Sequence, residues 1–252
     1  MASIVERVRS HYAKGGAQGL LSGVWRWVKF WWFTVPVSTA AYYLHRTFRR
    51  KRIPAFRFHG EELAYVYSRY NFTWASERIV EIALGQWFLT KVKAAGAKRV
   101  LEVGNVLSHY GSFTHDILDK YEEGPRVLNE DVSTFTPNRL YDAIVSLSTL
   151  EHVGWDSYEK KEPEKVLRAA ENLVRCLAPG GKLFVTMPFG YNSFVDQCVA
   201  ERRFPFTSVY FLKRVSKSNE WKEVPFEEVK GQPYNSPYFA ANAIVVGVVE
   251  KN

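Results

Sequence analysis

Apolar and polar positions change period several times along this chain. Between residues 61 and 95, Ile79, Val80, Ala83, Leu84, Trp87, Phe88 and Val92 recur at helical spacing. That pattern predicts a largely helical lead-in, with Ser76 as a cap and Gly96 as the stop. Short apolar runs follow at 99–103 (RVLEV), 115–120 (HDILDK), 126–130 (RVLNE), 141–148 (YDAIVSLS) and 182–188 (KLFVTMP), each of strand length. A second helix is predicted over 162–178, where Val166, Ala169, Ala170, Leu173, Val174 and Leu177 share one face before Pro179-Gly180-Gly181. A hairpin over 208–224 and a last apolar strand over 243–251 complete the pattern. Strands alternating with helices predict an α/β domain with a mostly parallel sheet.

The first 58 residues follow a different rule and are read as an arm, leaving 59–252 as the α/β domain. Trp25, Trp27, Phe30, Trp31, Trp32 and Phe33 crowd together, with Ser22, Arg26 and Lys29 as a narrow polar stripe on a helix. The uncharged run from Phe30 to Leu44 contains Pro36 and falls short of the roughly 20 residues a spanning helix needs. Arg46, Arg49, Arg50, Lys51 and Arg52 follow it. Tryptophans favour a headgroup layer and cations favour anionic lipid, so residues 20–52 read as an interfacial membrane segment. Packing of the aromatic face on the protein's own body, or on a second copy, is the plainer alternative, and a full span is the third.

Charge sharpens this division. Residues 1–60 hold 11 of the 34 Lys and Arg but only one of the 26 acids, Glu6, so the body is slightly acidic and the basicity belongs to the arm. That distribution argues against nucleic acid as the body's partner. Two cysteines, Cys176 and Cys198, offer neither a disulfide framework nor metal-ligand spacing, and no metal is expected. They fit a reducing, cytoplasmic setting, with the arm peripheral on the cytoplasmic face of a membrane.

The candidate chemistry begins at "RVLEVGNVLSHYG", Arg99 to Gly111. It opens like the first strand of a nucleotide-binding domain, with an apolar run, Glu102 and Gly104. A phosphate-cradling loop would supply further glycines at once; Asn105 to Tyr110 stand there instead. Ligands of such sheets bind beyond the carboxyl ends of the strands, where strand order reverses. Asp119 lies at a strand end 15 residues past Gly104, suited to accept ribose hydroxyls. A ligand with a ribose but no phosphate would not require close-packed backbone N–H groups. Each acid also has a plain structural reading: Asp131 could start a turn, and Asp142 could cap a strand.

Taken together, "VLEVGN", "ILD", "NEDV", "YDAIVSLSTLEHVG" and "LAPGGKLFVTMP" resemble the class I S-adenosylmethionine-dependent methyltransferases over Lys98 to Pro188. The resemblance implies a Rossmann-like, seven-stranded, mostly parallel sheet flanked by helices, and S-adenosyl-L-methionine as cofactor. It implies that Glu102 orients the first loop, that Gly104 and Asn105 run beside the methionine part, and that Asp119, followed by Lys120, holds the ribose. Asp131 and Val132 would border the adenine, and Ser148 and Thr149 would bring backbone carbonyls to the amino end. The family has two or three glycines in its first loop; here Asn105 follows Gly104, and Asn tolerates φ > 0 better than other non-glycine residues.

Methyl transfer to oxygen or nitrogen calls for removal of a proton, and His152, just past the fourth strand, is the candidate base. Its plain reading is a histidine that pins the next segment. An acceptor pocket must come from outside the shared motifs. Tyr70, Asn71 and Arg78, with Tyr191 and Asn192, combine polar handles with aromatic faces that suit a small, sugar-like or lipid acceptor. Two other readings stand beside this one: a nucleic-acid methyltransferase using the basic arm, and a non-catalytic, membrane-tethered module of the same fold.

Overall fold

The computed structural model describes residues 35–156 and 161–252, which fall into two units, Met1–Arg52 and Ile53–Asn252. In the first unit the described element is a helix, α1 (Val35–Arg52), with Pro36 in its first turn, where a missing N–H costs nothing. Residues 20–34 of the expected membrane segment lie outside the described residues. Among the described residues, no helix is long and apolar enough to cross a membrane.

The second unit opens with an antiparallel pair, β1 (Ala55–Phe58) and β2 (Glu61–Ala64), turning at His59-Gly60 with both φ positive. This corrects the helical lead-in predicted from residue 61. Helix α2 starts only at Arg78 and runs to Ala94, and a short 3-10 segment, Tyr70–Ala75, precedes it. Ser76 does not cap it; its buried hydroxyl has no hydrogen-bond partner among the described residues.

The main sheet contains β3 (Val100–Val103), β4 (Asp116–Leu118), β5 (Val127–Leu128), β6 (Tyr141–Leu147), β7 (Leu177–Pro188), β8 (Ser208–Arg214), β9 (Trp221–Val224) and β10 (Ala243–Glu250). Their order is β5-β4-β3-β6-β7-β10-β8-β9. The first five are parallel, and β10, β8 and β9 are each antiparallel to their predecessor in that order. Among the described residues the sheet thus has eight strands where seven were expected; β9, the second arm of the predicted hairpin, is the addition at the edge.

Strand alternation sorts the core into two layers. Val100, Ala143, Val145 and Phe184 face α2, whose Ile79, Ile82 and Leu84 are fully buried. Leu101, Ile144, Leu183 and Val185 face the other way, against α3 (Lys165–Cys176) and α4 (Ser193–Ala200). Asp142 closes the lower end of β6 by accepting the backbone N–H groups of Lys98 and Arg99, both at 2.8 Å. From β3 the chain runs outward to β4 and β5 and then returns to pair β6 on the opposite side of β3. Strand order therefore reverses between β3 and β6, which opens a crevice at their carboxyl ends.

Candidate active site

A cavity of about 380 Å³ occupies that crevice, lined by the ends of β3, β4, β6 and the loops that follow them. It is of a size that takes a cofactor or small ligand. Its floor is the loop after β3, and the wiring of that loop decides what it can bind. Gly104 N–H donates to the Leu118 carbonyl at 2.9 Å, and Asn105 N–H to Asp119 Oδ2 at 3.2 Å. Val106 and Leu107 N–H both donate to Glu102 Oε1, at 2.8 and 2.6 Å. Four consecutive backbone donors are thus turned inward. Glu102 is fully buried, and its Oε2 accepts from His115 Nε2 at 2.7 Å. Only a three-residue 3-10 turn, Leu107–His109, begins here, so there is no α-helix amino terminus to attract an anion.

Gly104 is held at φ +82°, and an added Cβ would sit 2.9 Å from Thr149 Cβ, with the hydroxyl of Thr149 closer still. Glycine is therefore required by both backbone and space. Asp119 lies in the cavity wall beside Gly104 and Asn105. Its Oδ1 accepts from the N–H groups of Tyr121 (2.9 Å) and Glu122 (2.8 Å), while Oδ2 has the single contact from Asn105 and keeps capacity for a further donor.

Asp131 and Val132 also line the cavity, but the Asp131 carboxylate is occupied. It accepts from Lys165 Nζ (2.6 Å), Lys120 Nζ (3.0 Å) and both the N–H and hydroxyl of Ser133. Burial pushes its pKa up, yet these donors outweigh that and hold it well below the ordinary carboxylate range. Lys120 thus serves Asp131, and Val132 supplies the apolar surface.

Ser148 and Thr149 form the wall that faces Gly104, with Ser148 at φ +40°. The Ser148 hydroxyl donates to Glu81 Oε1 at 2.5 Å, and Thr186 donates to the same oxygen at 2.8 Å. Arg78 corrects its sequence reading as an acceptor-binding residue. Its guanidinium donates to the Leu147 carbonyl (3.0 Å) and the Ser148 carbonyl (3.4 Å) and lies 3.7 Å from Glu81 Oε2. Burial opposes its charge, but Glu81, Glu77 and Glu151 outweigh it and raise the guanidinium pKa. Arg78, with a side chain 16% exposed, is a counter-ion to buried acids and shapes the cavity wall from behind.

His152 lines the cavity at the far end of the same wall, with a side chain 42% exposed. Its Nδ1 is 2.8 Å from Asp156 Oδ2, and the Tyr191 hydroxyl donates to Asp156 Oδ1 at 3.0 Å. The Tyr191 ring meets His152 edge-on at 4.8 Å. Asn192 also departs from its sequence reading. It is completely buried: Oδ1 accepts from Phe194 and Val195 N–H to cap α4, and Nδ2 donates to the Glu151 carbonyl at 2.7 Å. Tyr70 stacks on His109 at 4.4 Å, and His109 Nε2 lies 3.4 Å from Glu122 on the cavity rim. Asn71 is exposed at φ +45° and is not part of the wall.

The structure adds residues that the sequence reading passed over: Asp156, Lys165, Glu81 and His115. Asp156 had a signal, the i, i+4 spacing from His152. The others become partners only through the fold. Among the described residues, no group of three or more His, Cys, Asp or Glu is placed to hold a metal ion.

No family model and no curated protein matches this chain. Among solved structures it is similar to the N-methyltransferase NodS from Bradyrhizobium japonicum, in complex with S-adenosyl-L-homocysteine, at 13% identity over 67% of this chain and 85% of that one, TM-score 0.41. It is similar to the sugar N-methyltransferase KedS8 from Streptoalloteichus at 14% identity over 79% and 98% of the two chains, TM-score 0.39. The plantazolicin methyltransferase BpumL, also in complex with S-adenosyl-L-homocysteine, gives 11% identity over 68% and 85%, TM-score 0.39. With TM-scores below 0.5, these likenesses add nothing to what the geometry supports.

Proposed function

We propose that this protein is an S-adenosylmethionine-dependent methyltransferase acting on a small-molecule acceptor at oxygen or nitrogen. The observation that carries the reading is the inward wiring of the loop after β3. With the N–H groups of residues 104–107 spent on Leu118, Asp119 and Glu102, these four consecutive backbone donors are not free for a pyrophosphate. It still presents a glycine-shaped surface next to a carboxylate, the demand of a ribose without a phosphate.

The residues fit such a cofactor. Asp119 Oδ2 would take a ribose hydroxyl, Val132 would border the base, and the methionine chain would run beside the surface where Gly104 packs on Thr149. When bound, the sulfonium supplies an electrophilic methyl carbon. His152, at the opposite end of the wall, is placed to take a proton from the acceptor. Asp119, Glu122, Glu130, Asp131 and Asp156 in the lining favour a small acceptor over a polyphosphate.

Titration calorimetry tests the reading. Wild type should bind S-adenosyl-L-homocysteine saturably, and Asp119→Ala should bind at least about tenfold more weakly, the loss of one charged hydrogen bond. Tight binding of NAD, or no binding of S-adenosyl-L-homocysteine by folded protein, would refute it.

We also propose that residues 20–52 bring the protein to an anionic membrane surface. The support is the tryptophan-rich sequence and, on α1, exposed Tyr43, Leu44 and Phe48 near exposed Arg46, Lys51 and Arg52. The full chain should co-sediment with phosphatidylcholine vesicles containing phosphatidylglycerol. Each cation near such a surface contributes about 1 kcal/mol, so the triple variant R46Q/K51Q/R52Q should bind on the order of a hundredfold more weakly. Equal sedimentation of the two proteins would remove the arm's role.

A further inference from the structure

His152 has a carboxylate facing each ring nitrogen, and the two are not equivalent. Asp156 Oδ2 is within hydrogen-bond distance of Nδ1 at 2.8 Å, whereas Glu151 Oε1 stands 3.6 Å from Nε2, too far for one. Asp156 is itself fixed from the side opposite its own segment by the Tyr191 hydroxyl at 3.0 Å. Tyr191 is held in turn by Tyr234, whose ring meets it edge-on at 5.4 Å. Behind Glu151 lie Glu81, Arg78 and Glu77 at the start of α2. Glu151 is 1% exposed, and its Oε2 has no hydrogen-bond partner among the described residues. A carboxyl group in that setting is driven toward its neutral form. Burial first, then Glu81, pushes its pKa well up. The acid at Nε2 therefore does not claim the ring's proton, and the acid at Nδ1 does.

We propose that Tyr191 and Asp156 are positioning residues that lock His152 in the Nδ1–H tautomer and so present a bare Nε2 to the methyl acceptor. This rests on the methyltransferase reading given above and names the groups that make its base work. The acceptor's proton passes to Nε2 as the electron pair of that X–H bond forms the new bond to the methyl carbon. The carbon–sulfur pair returns to sulfur, which leaves as a neutral thioether. The Asp156 carboxylate balances the imidazolium until the half-exposed ring releases its proton to water. The acceptor is thus one that carries a removable proton, a hydroxyl or an ammonium group.

The test uses ¹⁵N NMR of the histidine rings in the full-length protein without cofactor, with H152N assigning the signals. Wild type should show the neutral His152 ring protonated at Nδ1. D156N should shift it toward the Nε2–H form, since the carboxylate acceptor at Nδ1 is replaced by an amide. D156E should restore the wild-type tautomer, and Y191F should loosen it partially. In turnover, D156N should lower kcat by at least about tenfold with KM little changed. A wild-type ring protonated at Nε2, or a tautomer unaltered in both D156N and Y191F, would overturn the relay. Calorimetry separates the two levels: S-adenosyl-L-homocysteine binding with the wrong tautomer sinks the relay alone. An Nδ1–H ring in a protein that binds no S-adenosyl-L-homocysteine sinks the cofactor reading instead.

Discussion

Arg78→Met should destabilise the protein by about 3–5 kcal/mol, the cost of leaving buried charges without their partner. Glu77, Glu81 and Glu151 are 7%, 0% and 1% exposed, and the Arg78 guanidinium is the cation that offsets all three. The substitution also strips a donor from the Leu147 and Ser148 carbonyls. For a chain of this size the melting temperature should fall by about 10 °C or more. The loss has a pH signature. Burial raises the folded pKa values of Glu77 and Glu151, and the variant lacks the cation that opposes this, so their penalty is absent below the unfolded carboxylate range and grows as pH rises through the folded values. Urea unfolding of both proteins at pH 5 and pH 8 should show the larger gap at pH 8. A constant gap would mean that Arg78 matters for packing and not for charge. Arg78→Lys, which retains charge without the planar fork, should fall between the two.

Gly104→Ala should abolish measurable cofactor binding while costing less stability than the loss of Arg78. A non-glycine residue at φ +82° costs about 1–2 kcal/mol. Forcing Thr149 aside adds about 1–3 kcal/mol of overpacking, and Thr149 is itself cavity wall. Gly180→Ala is the control. Gly180 also has a positive φ, +74°, but nothing lies within 4 Å of an added Cβ. It should share the backbone penalty and leave S-adenosyl-L-homocysteine affinity at the wild-type value. Equal affinity in both variants would show that the Gly104–Thr149 contact does not shape the site.

What the sequence made legible was what is local and periodic. The strands over 99–103, 141–148 and 243–251 appear within a residue of their predicted bounds, because continuous apolar runs mark strands buried on both faces. The helix over 162–178 is shorter at both ends, since Leu177 already pairs with Tyr141 as β7 begins. β1 and β2 escaped notice because their alternation is brief and half exposed, and the strong helical period of α2 spread over them. In the site, Gly104, Asn105, Asp119, Asp131, Val132, Ser148, Thr149 and His152 line one cavity at the strand ends. Residues assigned by composition fared differently. Arg78 and Asn192 look like substrate handles in a sequence, but burial turns one into a counter-ion and the other into a helix cap. Nor does a helical pattern reveal that Glu77 and Glu81 face inward; only the sheet beneath them does.

The sheet ends at β9, whose outer margin has no strand paired to it among the described residues. The β1–β2 hairpin meets it there: His59 N–H donates to Glu223 Oε2 at 2.8 Å, and the nearby Tyr65 hydroxyl accepts from Trp221 N–H at 2.8 Å. An open strand margin is a template for pairing with another molecule. Shortening the protein to Ile53 would leave this shield in place. Cutting on to Val66 would not merely trim a tail; it would uncover a sticky seam and favour self-association.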